Sequence, residues 1–168
     1  MEGMYNLVKD FFSNDMNLND LFDSEAISWI DWREDDEDVV NYFNDMMDEP
    51  IDIQIVSNGK PYGDDIVLKN GNKELQIPYG DEQDRDVTIK YFNDFVKPDY
   101  EVRWFAESLG NDTLGFTVLS GAEWANLDDE FGADTVRYYF EPINLESNMF
   151  NLDMDEVSAL LELRENNR

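Results

Sequence analysis

The sequence predicts an α+β fold: a mostly antiparallel sheet with helices packed on it, in a single compact domain spanning residues 1–168. Three observations predict it. Turn signals of the hairpin type recur between alternating apolar runs, at Asn58-Gly59, Asn70-Gly71 and Gly110-Asn111-Asp112. Segments whose apolar residues follow the helical period stand between those runs. The strand–helix–strand alternation that parallel crossovers require is scarce. No internal repeat or low-complexity linker divides the 168 residues, and at this length folding hides roughly 70% of the unfolded surface, enough for a core.

In chain order, Met4, Leu7, Val8, Phe11 and Phe12 fall on one face of a first helix, and Leu18, Leu21 and Phe22 suggest another turn or two. Residues 26–32 (AISWIDW) read as a well-buried strand. A helix follows over 34–49, with Val39, Val40, Phe43, Met46 and Met47 inward and Glu34, Asp38, Asn41, Asp45 and Asp48 outward, stopped by Pro50. Asp35 to Asp38 suit its positive N-terminal end. Residues 51–79 read as a β-meander whose second hairpin joins 65–69 to 73–78. Val87, Tyr91, Phe92 and Phe95 mark a helix over 84–96. Tyr100, Val102, Trp104 and Ala106 alternate with Glu101, Arg103 and Glu107 along a strand, and Leu114, Phe116 and Val118 point inward from its partner. Ser120 and Glu123 form a capping box for a helix carrying Trp124, Leu127 and Phe131, closed by Gly132. Val136, Tyr138 and Phe140 read as a strand. Asp153 and Glu156 open a last helix with Met154, Val157, Leu160 and Leu161.

Charge bounds the function. Forty Asp and Glu stand against 12 Lys and Arg, a formal net charge of -28, and there is no histidine or cysteine. Aromatics make up 14% of the chain, which separates it from disordered acidic tails. Without cysteine there is no disulfide, thiolate nucleophile or Cys-ligated zinc; without histidine the usual general base and commonest metal ligand are gone. No Walker A loop, Gly-X-Ser-X-Gly or Gly-X-Gly-X-X-Gly occurs. With 40 carboxylates, no pair can be singled out for glycoside hydrolysis. Asp15-X-Asn17-X-Asn19 resembles the opening of a calcium loop, but Asp20 stands where glycine is needed and Ala26 where glutamate is needed. A non-enzymatic protein without cofactor or metal is expected. There is no basic, apolar leader and no stretch of about 20 apolar residues, so a cytoplasmic protein is expected, repelled by anionic membranes and by nucleic acid alike.

Nine of the nineteen residues from 31 to 49 are acidic, opposed only by Arg33. The ordinary account of one such helix is a solvated face. Acidic clusters recur, however, at 81–86 (DEQDRD), 128–130 and 153–156. A field spread this way can imitate the polyanion of DNA, about one charge per 1.7 Å of axis. The candidate partner-binding residues are Asp31, Trp32, Glu34, Asp35, Glu37, Asp38, Asp45, Asp48 and Glu49, with Asp81, Glu82 and Asp84 from the next cluster. Trp32 is placed as an aromatic anchor within an acidic rim; Trp29, Trp104 and Trp124 are assigned to the core. Arg103 and Arg137 are expected on outward strand positions, paired with Glu101 or Glu107.

The stretch 98–132 carries a Tyr-X-X-Arg strand (Tyr100, Arg103), an Asp-Thr-Leu turn (Asp112, Thr113, Leu114) into a second strand, and a Trp-bearing helix (Trp124). With 26–32, roughly a quarter of the chain, it resembles segments of small acidic bacterial immunity proteins of polymorphic toxin systems. The resemblance implies binding and blocking of a cognate toxin, and no catalytic residue.

The expected function is therefore that of an acidic inhibitor. It covers the basic cleft of a nucleic-acid-handling protein, a toxin nuclease or another nucleic-acid-binding enzyme. A phage-type DNA-mimic anti-restriction or anti-CRISPR protein would use the same surface, and an acidic regulatory or scaffold module would use the charge for solubility alone. Oligomeric state is left open by the sequence.

Overall fold

The computed structural model describes residues 2–31, 33–57, 59, 64–79, 84–109 and 113–166. Helix α1 (Glu2–Phe12) buries Met4 and Val8, and α2 (Leu18–Phe22) buries Leu21. The calcium-like run is the cap of α2: Asn17 Oδ1 accepts from the Asp20 N–H at 2.8 Å.

Seven described strands divide between two sheets, both antiparallel throughout. The larger has the order β1 (Ser28–Asp31), β6 (Thr113–Ser120), β5 (Tyr100–Phe105), β7 (Phe140–Pro142). The smaller is the expected meander, β2 (Asp52–Ser57), β3 (Asp64–Asn70), β4 (Lys73–Gln76). Asn70 faces Lys73 across a two-residue loop in which Gly71 takes φ 61°, the left-handed value glycine reaches without a Cβ penalty. The turns expected at Asn58 and at 110–112 lie outside the described residues. Helices α3 (Asp36–Asp45), α4 (Arg85–Val96), α5 (Gly121–Phe131), α6 (Ala133–Tyr139) and α7 (Met154–Asn166) complete an α+β fold around one continuous core.

Several elements differ from expectation for local reasons. Among the described residues the first strand covers Ser28–Asp31; Ala26 and Ile27 are buried ahead of it, and the Ala26 carbonyl accepts from Thr117 Oγ1 at 2.7 Å. Helix α3 ends before Pro50: the Asn44 side chain donates to the Ile51 carbonyl and accepts from the Ile51 N–H, both at 2.8 Å, which turns the chain. Strand β5 gives way after Phe105 to a 3-10 turn, Ala106–Ser108. Ser108 Oγ holds it, donating to the Phe105 carbonyl at 2.6 Å and accepting from the Gly115 N–H at 3.0 Å.

The strand expected through Val136, Tyr138 and Phe140 is helix α6 up to Tyr139, with only Phe140–Pro142 extended. Val136 and Phe140, both fully buried, lie four residues apart, a spacing that satisfies either period. Gly132 at φ 94° decides between them by ending α5 and restarting the chain as a helix. Arg137 therefore sits exposed on a helix. Arg103, unlike Arg137, is not outward. It is 4% exposed, because β5 is covered on both faces. Its guanidinium lies 4.5 Å from the centre of the Trp124 ring and pairs with Glu101 at 2.8 Å and Asp128 at 3.5 Å. Glu107 pairs instead with Arg164 of α7 at 2.9 Å. Of the apolar residues of the last helix, Met154 and Leu161 are 82% and 45% exposed.

Candidate functional site

The acidic helix divides its carboxylates between two directions. Asp36, at its first position, is fully buried. Thr88 Oγ1 donates to it at 2.6 Å and Arg85 Nη1 at 3.2 Å, and the same Arg85 nitrogen donates to the Glu34 carbonyl at 3.0 Å. With the Thr88 proton given to Asp36, the Tyr79 hydroxyl donates to Thr88 Oγ1, extending a buried polar chain. Burial pushes the Asp36 carboxyl above its ordinary value, opposed by the Thr88 hydrogen bond and the Arg85 charge. Asp36 therefore contributes to packing and nothing to the surface.

The remaining carboxylates face out. Asp35, Glu37, Asp38, Asp45, Asp48 and Glu49 are exposed, and Glu34 is half-buried. Val39, Val40 and Phe43 are fully buried on the opposite side, so helical periodicity places the outward set. Asp31 is clamped by Arg33, which donates its backbone N–H at 2.8 Å, Nε at 3.1 Å and Nη2 at 3.2 Å. The Arg33 side chain foremost holds the Asp31 carboxyl below its ordinary value. Asp31, Arg33, Glu34, Asp35 and Asp38 line a shallow depression of about 340 Å³.

Tyr42, which sequence reasoning left unassigned, is 38% exposed on this face. The Glu34 charge foremost, with Asp38, raises its hydroxyl pKa, so the ring stands in a negative field. The available signal was its position four residues after Asp38, one turn along the same face.

The second acidic cluster meets the first. Arg85 and Thr88 of α4 reach Asp36 of α3, and the Asp84 charge acts on Asp36 as well. The starts of the two helices therefore adjoin. Within the cluster, however, Asp84 and Asp86 are structural. Asp84 caps α4, accepting from the Asp86 N–H at 2.8 Å and from Asn151 Nδ2 at 3.0 Å. Asp86, fully buried, accepts the backbone N–H groups of Met149, Phe150 and Asn151 at 3.1, 2.9 and 2.9 Å. Asp81, Glu82 and Trp32 lie outside the described residues. The other clusters are partly structural too: Asp128 pairs with Arg103, and Asp153 and Glu156 cap each other's backbone at the start of α7.

Among the described residues, no group of three or more carboxylates converges in a way that could hold a metal ion. No described helix is long and apolar enough to cross a membrane. No protein-family model matches the chain, and neither a curated protein nor a solved structure shows significant similarity to it.

Proposed function

We propose that this protein is a non-enzymatic inhibitor that binds a basic, nucleic-acid-handling protein in the cytoplasm and covers its cleft, in the manner of a bacterial toxin immunity protein. The observation that carries the reading is the outer face of α3. Asp35, Glu37, Asp38 and Asp45 are presented to solvent on the element that also exposes Tyr42, on which the Glu34 and Asp38 charges act, while the one buried carboxylate of the helix, Asp36, is tied inward. Such a face combines the two parts of a specific polar interface. Spread like charge steers a basic partner and rejects acidic ones. An aromatic side chain within the charged rim supplies contact area that is desolvated on binding. A face serving solubility alone has no need of the ring.

The test is capture from the native host at low and moderate salt by the protein and by a variant with Asp35, Glu37, Asp38 and Asp45 all changed to Lys. The expected result is one basic protein recovered by the native chain, less of it as salt rises, and none by the variant. Equal recovery by both chains, or no basic protein under either condition, overturns the reading. Circular dichroism of the variant keeps the comparison meaningful, because none of the four side chains is buried.

A further inference from the structure

Strand β2 ends the smaller sheet, and the ladder fixes which of its backbone groups are unpaired. The Ile77 N–H donates to the Ile66 carbonyl at 2.9 Å, so Ile66 turns its backbone toward the β4 side. Backbone direction alternates along a strand. Asp65, Val67 and Lys69 therefore turn toward β2, where they face Val56, Gln54 and Asp52. That leaves the N–H and C=O groups of Ile53, Ile55 and Ser57 pointing away from the sheet. Among the described residues no strand pairs with that side. No residue of β2 is buried, whereas Asp65, Ile66, Val67 and Leu68 of β3 are.

Sheet edges are usually guarded by a lysine, a proline, a bulge or a very short strand. This one has none of these. It runs six residues, in register one-for-one with β3 from Asp52 opposite Lys69 to Ser57 opposite Asp64, and its only charge is Asp52. In a chain that is 31% charged, DIQIVS is an open template for another strand. Its surroundings select the occupant. Glu49 and Asp52 are exposed where the chain enters the strand, Asp52 facing Lys69 across the ladder, and Asp64 faces Ser57 at its other end. A second copy of this chain would bring the same carboxylates against them and another net charge of -28.

We propose that the free edge of β2 takes up an extended, lysine- or arginine-bearing segment of a partner protein as a fourth strand of the smaller sheet. Ile53 and Ile55, half-buried on the core side, would continue their apolar row onto that segment, and Val56, 40% exposed, would be covered on the other face. The inference rests on the inhibitor reading and says how the contact is made.

The probe is a synthetic peptide of about eight residues, close to common strand length, alternating valine and lysine, beside a counterpart of the same composition N-methylated on alternate residues. Both carry the same charge, but only the first can complete a ladder. Amide hydrogen exchange of the full chain should slow at Ile53, Ile55 and Ser57 with the first peptide and not with the second. Ser57→Pro, which removes an outward N–H and no ladder donor to β3, should weaken binding about tenfold. Because proline also constrains the backbone, Val56→Lys serves as a second variant, placing a charge on the exposed face of the edge strand with the backbone intact. Three results overturn the proposal: equal binding of the two peptides, protection confined to α3, or protection of these amides that depends on protein concentration without peptide. The inhibitor reading fails separately. If the α3 lysine variant loses the host partner while Val56→Lys binds it normally, the reading stands and the edge does not.

Discussion

Arg85 Nη1 lies 3.2 Å from the Asp36 carboxylate across 49 residues of sequence, and this contact locks the start of α4 to the start of α3. It leaves Asp36 inside, with Thr88 as its closer partner, and frees the neighbouring carboxylates to form an outer face. Removing one member of a buried ion pair costs more than the pair contributes, because the other charge stays behind. Arg85→Ala should therefore lower stability by about 2 kcal/mol, read as a reduced urea midpoint at unchanged slope. Thr88→Val, which leaves Asp36 without its shortest hydrogen bond, should cost about 1–3 kcal/mol. Either variant at native stability would show that Asp36 finds other partners.

The same carboxyl sets a pH dependence whose sign runs against ordinary acid denaturation. Burial raises the Asp36 carboxyl above its ordinary value, against the Thr88 hydrogen bond and the Arg85 charge; desolvation raises the Glu141 carboxyl against the Arg164 charge, a smaller effect because Glu141 is exposed and screened by water. A carboxyl with a raised folded-state pKa binds its proton in the folded chain before the unfolded one. Stability from these two groups therefore increases as pH falls through their raised values toward 3.8 and 4.5, and is lost as pH rises again. Asp31, held low by Arg33, has the opposite sign but is open to solvent and screened. Falling net charge adds to the gain. Urea midpoints should rise as pH falls from 7 through the raised values of these two carboxyls, and Asp36→Asn with Glu141→Gln should flatten the slope. A midpoint that falls steadily over that interval would contradict this balance.

Asp86 holds the segment before α7 through three backbone N–H groups. Met149, 4% exposed, depends on that anchorage to reach the core. Asp86→Ala removes every acceptor at once and leaves buried donors unsatisfied, at a cost of about 3 kcal/mol or more. Asp86→Asn keeps one acceptor oxygen and should lose less. Limited proteolysis should open the chain near 147–152 in the alanine variant ahead of any other site. Cleavage there at the native rate would mean that the Phe150 and Leu152 packing holds the segment without Asp86.

What the sequence revealed of this fold was whatever depends on near neighbours. The capping box of Ser120 and Glu123, the Asn70-Gly71 hairpin and the inward stripe Val39, Val40, Phe43 each follow from residues within a turn or two. The fates of Asp36, Asp86 and Arg103 do not. Their hydrogen-bond partners lie 49 and 52, 63 to 65, and 25 residues away, apart from Glu101 beside Arg103. A buried aspartate inside the run DDED looks the same in sequence as its exposed neighbours. The candidate site was legible as a helix with an acidic outer side. The inward turn of Asp36 and the structural use of Asp84 were not, since both depend on how α4 docks.

Tyr42 separates the two forces assigned to the binding face. Charges at the rim act mainly on encounter, so the lysine substitutions on α3 should lower the association rate and flatten its salt dependence. An aromatic at the centre acts on dissociation. Tyr42→Ala should speed release of the partner, a loss of at least about 2 kcal/mol or roughly thirtyfold in affinity, with little effect on the association rate. Tyr42→Phe should retain most of the affinity, because the negative field that raises the hydroxyl pKa keeps it protonated, and the ring supplies the area. Folding should be little affected, since the ring is 38% exposed and Val39, Val40 and Phe43 carry the packing of α3. Surface-bound kinetics with the captured partner give both rates. If Tyr42→Ala dissociates at the native rate, the aromatic has no part in the contact and the face acts by charge alone.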